Sequence, residues 1–291
     1  MLGVVNLDKP VGPTSHDMVG LLRRLTGTRR IGHAGTLDPL ASGVLPILVG
    51  AATRLSEDLT GGSKRYDATI RLGWRSATDD GEGPVERVDA PLPTDDEVRA
   101  ALDRFVGTFD QRPPAFSARK QAGERAYRAA RAGGPLVLEP RSVTIDAIVM
   151  RSLEHRDDRV DVAIDLRCGA GTYVRALARD VGELLGCGGY LLVLRRTEAA
   201  GLRVEDGITP ERLAALAAEG RIGEALQPVL GLLRLPQVRL DADQARRFAN
   251  GSLLRVVAAG TGRHAVLADD RLLGIGTLEA GMLQPDKVLV E

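Results

Sequence analysis

The chain has 291 residues, 44% hydrophobic and 27% charged, a composition typical of a soluble globular protein of one or two domains. Its 39 basic and 39 acidic side chains cancel, and aromatics are only 3%, so neither whole-chain charge nor abundant stacking rings mark a nucleic-acid partner. Two unpaired-looking cysteines (Cys168, Cys187) and four scattered histidines exclude a disulfide framework and the usual zinc patterns, and no stretch reaches the ~18 apolar residues of a membrane span.

Residues 3–7 read as a short strand closed by the Asp8-Lys9-Pro10 turn. Thr14 and Ser15 are N-cap candidates for a helix in which Met18, Val19, Leu22 and Leu25 share a face, with Gly27 as its stop. Residues 28–43 are Gly-rich and loop-like. Between 65 and 72, Tyr66, Ala68, Ile70 and Leu72 alternate with polar residues, as a half-buried strand requires. An acidic loop over 76–94 leads into a helix from about Asp95 to Phe105. Strands are expected around Val143–Val149 and Val160–Cys168. Gly169-Ala170-Gly171-Thr172 then turns the chain into a helix running to Leu185. The chain changes character near Pro236. Residues 236–291 hold one short helix (241–249) and short apolar strands, the pattern of a small appended β-barrel. The expectation is an α+β fold with a mixed, largely antiparallel sheet, divided into 1–235 and 236–291.

The neutral average hides segregation. Residues 78–97 hold eight acidic side chains and one basic, and residues 112–131 hold six basic and one acidic. The most unusual stretch is Gly32-His33-Ala34-Gly35-Thr36-Leu37-Asp38-Pro39-Leu40-Ala41-Ser42-Gly43. Pro39 pushes Asp38 toward extended geometry, and the glycines permit tight turns beside a ligand. Taken alone, Asp-Pro is also the signature of an Asx-type turn.

GHAGTLDPLASG resembles the catalytic motif of the TruB family of tRNA pseudouridine synthases. Other stretches resemble that family in the same order. They are Leu7-Asp8-Lys9-Pro10 with Thr14-Ser15-His16; Lys64-Arg65-Tyr66 before Ile70-Arg71-Leu72-Gly73; and Thr78, Asp80 and Gly83. Pro113-Pro114 with Ser117-Ala118, Lys120, Gly123 and Arg125-Ala126-Tyr127 follows, then CGAGTYVR ending at Arg175, then Leu194-Arg195-Arg196-Thr197. Two positions depart from the pattern: Ala200, where glycine is usual, and Arg119, where an apolar residue is common.

The resemblance implies a pseudouridine-synthase catalytic fold and a PUA-like RNA-binding unit at the C-terminus. The implied substrate is tRNA, at position 55 of its T-loop in the T-arm. It implies Asp38 as nucleophile, with Arg175 and Tyr66 as its catalytic companions. His33, Tyr66, Tyr173, Leu194 and Lys9 are the implied substrate-binding residues, with Lys9 and Pro10 better suited to supporting the Asp38 loop than to reacting. Without the resemblance, Arg175 reads as a surface arginine, Tyr66 as a strand aromatic and Leu194 as core. Cationic side chains that would hold phosphates are Arg23, Arg24, Arg29, Arg30, Lys64, Arg65, Arg119, Lys120, Arg125, Arg128, Arg195 and Arg196.

The chemistry breaks an N-glycosidic bond, turns the base and rejoins it through C5. It needs no redox step, so neither cofactor nor metal is expected. A carboxylate is the natural nucleophile, as in retaining glycosidases. The sequence leaves open whether Asp38 attacks C1′ or C6, or removes a sugar proton. The expected protein is a cytoplasmic monomer with no obligate protein partner. A non-catalytic tRNA-binding or folding chaperone of the same fold is the alternative; the intact Asp38, Tyr66 and Arg175 set speaks for the enzyme.

Overall fold

The computed structural model describes residues 2–115, 120–121, 124–125 and 138–289. The segment Ser117–Arg128, with Arg119, Lys120 and Arg125, therefore lies largely outside the described residues.

A nine-stranded sheet organises residues 3–203. Its main path runs Gly3–Lys9, Ala41–Val49, Gly189–Ala199, Lys64–Leu72, Arg159–Cys168, Arg141–Arg156 and Gly107–Gln111. Every pairing is antiparallel except one, in which Leu194, Arg195 and Arg196 run parallel to Ala41, Ser42 and Gly43. The content is therefore α+β with a mixed, largely antiparallel sheet. Alternation sets the faces: Tyr66, Ala68, Ile70 and Leu72 are buried, whereas Arg65, Arg71, Asp161 and Asp165 pair across the other face.

Helix Ser15–Thr26 begins at a reciprocal capping box. Thr14 accepts from the Asp17 backbone N–H, and the Asp17 side chain accepts from Thr14 N–H; Gly27 ends the helix at φ 65°. Its Met18, Val19 and Leu22 pack into the core with Ile31, Leu37 and Leu45. Helix Asp95–Asp103 uses the same device, Thr94 with Glu97. Helix Val174–Leu184 lies over the buried face of the sheet, with Leu177, Ala178 and Val181 in the same core.

The chain from 204 to 235 returns to the first strand, where Val4 and Gln227 exchange backbone bonds of 2.9 and 2.8 Å. A second sheet starts at Gln237. Its order is Gln237–Leu240, Gly262–Ala268, Arg271–Glu279, Met282–Val288, Leu254–Arg255, and helix Ala242–Ala249 seals it with the buried ring of Phe248. This unit shares apolar contacts with the first: Ala265, Leu267, Leu272 and Ile275 cluster with Val44, Leu48, Ala51 and Leu55. A charged clasp adds to it, since the buried Asp58 receives Lys287 Nζ at 2.8 Å and Arg263 at 2.6 Å. Those two cations hold the Asp58 carboxyl below the usual range despite its burial. Among the described residues no helix is long and apolar enough to cross a membrane.

Candidate active site

The Asp38 loop joins strand Ile31–His33 to strand Ala41–Val49, and three buried polar side chains fix it. Ser15 Oγ donates to Leu37 O at 2.9 Å and accepts from Leu37 N–H at 2.8 Å. Lys9, fully buried, donates to Pro10 O at 2.8 Å and Pro13 O at 2.7 Å, with Pro39 O at 3.5 Å. Burial lowers its pKa to about 8, against the opposing attraction of Asp38. Arg196 is 1% exposed and donates to Val44 O (2.7 Å), Gly35 O (3.0 Å) and Thr36 O (3.3 Å). Gly43 sits where this arginine's backbone crosses. Its φ is +99°, and a Cβ there would lie 2.2 Å from Arg196 O, so only glycine allows the parallel contact.

Arg175 reaches the loop from the first turn of helix Val174–Leu184. Its Nε donates to Asp38 Oδ2 at 2.9 Å and one terminal nitrogen donates to Thr78 O at 3.0 Å, with Asp80 Oδ2 3.4 Å from the same nitrogen. Arg175 is 5% exposed, and the Asp80 side chain 4%. Asp38, by contrast, is 38% exposed and faces an open cleft of about 280 Å³. Among the described residues Arg175 is its one side-chain partner, held through Oδ2.

The cleft is walled by Tyr66, Tyr173, Leu194 and Lys64, with Gly35, Thr36 and Arg196 beneath. Tyr66 is buried in its strand, opposite Leu166 and Arg196. Burial pushes its phenol up, so the hydroxyl is neutral near pH 7. Asp38, Tyr66, Arg175, Tyr173 and Leu194 thus share one cavity. Lys9 and His33 do not line it. Lys9 lies under the loop with its ammonium spent on carbonyls. His33 is half-buried in its strand, its Nδ1 buried without a partner and its pKa lowered by burial first and by Arg196 second.

Several cations expected to hold phosphates are committed elsewhere. Arg196 is internal, Lys64 donates to Thr60 O and Gly62 O (both 2.8 Å), Arg65 forms a two-pronged pair with Asp165, and Arg195 pairs with Asp8 at 2.8 Å. Arginine frequency in a sequence does not distinguish a guanidinium satisfied by internal carbonyls from one facing solvent. Asp80 is a residue that the sequence marks only by a motif match, with no role attached. It sits in an acidic loop that reads as solvated, yet it accepts from Thr78 Oγ1 and Glu82 N–H and backs Arg175. Its one signal is the Thr78-Asp80-Gly83 spacing. The unusual Ala200 adopts φ +54° in the turn before Gly201, a conformation that glycine takes with less strain.

A family model for TruB pseudouridylate synthases (N-terminal domain) matches residues 23–174, and one for the tRNA pseudouridylate synthase B C-terminal domain matches 175–233. A protein of Ralstonia pickettii (strain 12J) named tRNA pseudouridine synthase B is 40% identical over 99% of this chain and 94% of its own length. One of the same name from Burkholderia mallei (strain NCTC 10247) is 45% identical over 99% of this chain and 97% of its own. Among solved structures, an H/ACA RNP bound to a substrate RNA containing 2′-deoxyuridine aligns with TM-score 0.75 at 25% identity, over 99% of this chain and 85% of that one. A Cbf5–Nop10–Gar1 complex aligns with TM-score 0.73 at 25% identity, over 99% and 85%.

Proposed function

The chain belongs to the TruB family of pseudouridylate synthases and isomerises uridine to pseudouridine in tRNA, and from that premise we propose that Asp38 is the nucleophile, acting on uridine 55 of the T-loop. The observation that carries this reading is the Arg175–Asp38 contact of 2.9 Å at the mouth of the cleft that Tyr66 lines. Arg175 aims one carboxylate oxygen and balances its charge, leaving Oδ1 for the substrate. Each of the three first steps weighed above (attack at C1′, attack at C6, removal of a sugar proton) starts from this ionised carboxylate. A loop held by Ser15, Lys9 and Arg196 supplies it without reorganisation.

The uridine has to leave its stack to reach Asp38, at a cost of a few kcal/mol. Packing on the Tyr66 ring, between Tyr173 and Leu194, offsets that cost. The Tyr66 hydroxyl, kept neutral by burial, is suited to relay the proton lost from C5 after the new carbon–carbon bond forms, passing its own proton on to water as it takes the new one. His33 and Lys9 take supporting places below the loop. Residues 236–291 act as a PUA-like RNA-binding unit on the T-arm side of the tRNA, and Arg247 and Arg255 lie on its surface. We read the enzyme as a monomer that works on tRNA in the cytoplasm without an obligate protein partner.

The test pairs tRNA binding with single-turnover pseudouridine mapping for Asp38→Asn, a nearly isosteric change. The chemical step is expected to fall by at least ~10⁴-fold, or ~5.4 kcal/mol of barrier, with affinity within about tenfold of wild type. A comparable rate in the variant removes Asp38 from the nucleophile's role. Wild type that binds tRNA and never makes pseudouridine would leave the chaperone reading standing.

A further inference from the structure

The strand Gly107–Gln111 lies at the sheet edge, and its last residue breaks the rule of its own pattern. Thr108 and Asp110 are exposed, while Gln111 points inward and is 1% exposed, a position that alternation reserves for an apolar side chain. A buried carboxamide is tolerated only with its donor and acceptor both engaged. Here both engage a single peptide unit's residue. Gln111 Oε1 accepts from Tyr173 N–H at 2.8 Å, and Gln111 Nε2 donates to Tyr173 O at 3.1 Å. The side chain pairs with Tyr173 as a neighbouring strand would.

Tyr173 is a consequential residue to hold. Its ring lines the cleft, and its backbone is the N-cap of helix Val174–Leu184, which has no side-chain cap of its own. Arg175 follows two residues later. The residue after Gln111 adds a second tie, since Arg112 O accepts from Arg179 at 2.9 Å, one turn beyond Arg175. The strand end therefore fixes the helix on both sides of the arginine that touches Asp38.

We infer that Gln111 is a positioning residue for the isomerisation: acting through the Tyr173 peptide, it sets the tyrosine ring and the Arg175 reach toward Asp38. The inference rests on the reading of Asp38 and Arg175 as the catalytic pair. It assigns Gln111 no contact with substrate, so its removal should act on the chemical step and leave tRNA affinity largely alone.

Two variants test it in the full-length enzyme. Gln111→Met keeps the length and loses both bonds. Gln111→Glu keeps the acceptor for Tyr173 N–H and regains a donor for Tyr173 O only when the introduced carboxyl is protonated. Thr108→Val, which removes a side-chain bond to Thr144 from the same strand, serves as the control. Single-turnover rates with saturating enzyme, tRNA Kd and circular dichroism are measured at about pH 5.5 and pH 8. For Gln111→Met the rate is expected to fall at least about tenfold with Kd within about threefold. For Gln111→Glu the rate relative to wild type at the same pH should be low at pH 8 and recover toward pH 5.5. Thr108→Val should match wild type. A folded Gln111→Met with a wild-type rate, or a pH-independent ratio for Gln111→Glu, overturns the inference. If Gln111→Met fails to fold, the pH profile of Gln111→Glu decides alone. Asp38→Asn is run alongside. Full activity there sinks the catalytic reading and this inference together, whereas an inactive Asp38→Asn beside unimpaired Gln111 variants sinks this inference only.

Discussion

Arg175→Met separates two consequences of one contact network. The arginine is buried between Asp38 and Asp80, with bonds of 2.9 Å to Asp38 and 3.0 Å to Thr78 O. Removing one charged group aimed at the reacting centre costs about 2.7–4 kcal/mol, or roughly 10²- to 10³-fold in the chemical step. Removing it also strands the Asp80 carboxylate, which is 4% exposed. Breaking a buried pair from one side costs roughly 3–5 kcal/mol of stability, and Asp80's bonds from Thr78 and Glu82 place this case near the lower end. The double variant Arg175→Met/Asp80→Asn should therefore regain much of the stability and none of the rate. The rate assay is release of tritium from C5-labelled uridine under single-turnover conditions, and stability comes from denaturant midpoints. A near-normal rate in folded Arg175→Met refutes the reasoning. Recovery of the rate in the double variant shows that Arg175 acts only through the fold.

Four further outcomes are expected. Tyr66→Phe keeps the ring and should bind tRNA normally but lose rate if the hydroxyl moves the C5 proton; full activity leaves Tyr66 a stacking role alone. Binding should depend on salt despite the neutral average: with about four to six phosphate contacts, affinity falls roughly ten- to a thousandfold between about 50 and 200 mM, and a flat titration contradicts a basic face. Lys9 titrates near 8 in the folded chain and 10.5 unfolded, so between those values the unfolded chain binds more protons. Its contribution to stability is accordingly complete above pH 10.5 and is lost as pH falls through 8. The stability gap between wild type and Lys9→Met should move in favour of wild type across that window, and a pH-invariant gap in denaturant midpoints argues against it. Asp58→Asn releases Arg263 and Lys287 and should raise the tRNA Kd severalfold with the saturated single-turnover rate unchanged; an unaltered Kd means the clasp does not orient the second unit.

The parts of the fold that were legible in the sequence are those where one face meets water. The Tyr66 strand shows strict alternation, and helix Ser15–Thr26 carries its own cap and stop. Two central strands were not legible. Ala41–Val49 is buried along nearly its whole length, so its residues run apolar without a period and Pro46 suggests a break. Gly189–Ala199 has register shifts between Leu191 and Val193 and between Arg196 and Glu198, which put its alternation out of phase. At the site, the motif stretches name Asp38, Tyr66 and Arg175, and all three line the cleft. The Thr78-Asp80-Gly83 spacing marks Asp80 but not its role behind Arg175, and Arg196 reads as a phosphate contact, because both roles depend on which distant carbonyls and cations surround them.

The parallel contact between Leu194–Arg196 and Ala41–Gly43 has a bearing on how the enzyme comes into being. The Asp38 loop is held by a guanidinium whose carbonyl partners lie 152 to 161 residues earlier in the chain. A ribosome delivers the loop early and its brace late. Until the strand carrying Arg196 has left the exit tunnel, the Asp38 loop lacks its guanidinium brace, and contacts of such sequence separation are among the slowest to form. Premature termination anywhere before Arg196 yields a chain that lacks these three bonds to the Asp38 loop and the strand that follows it.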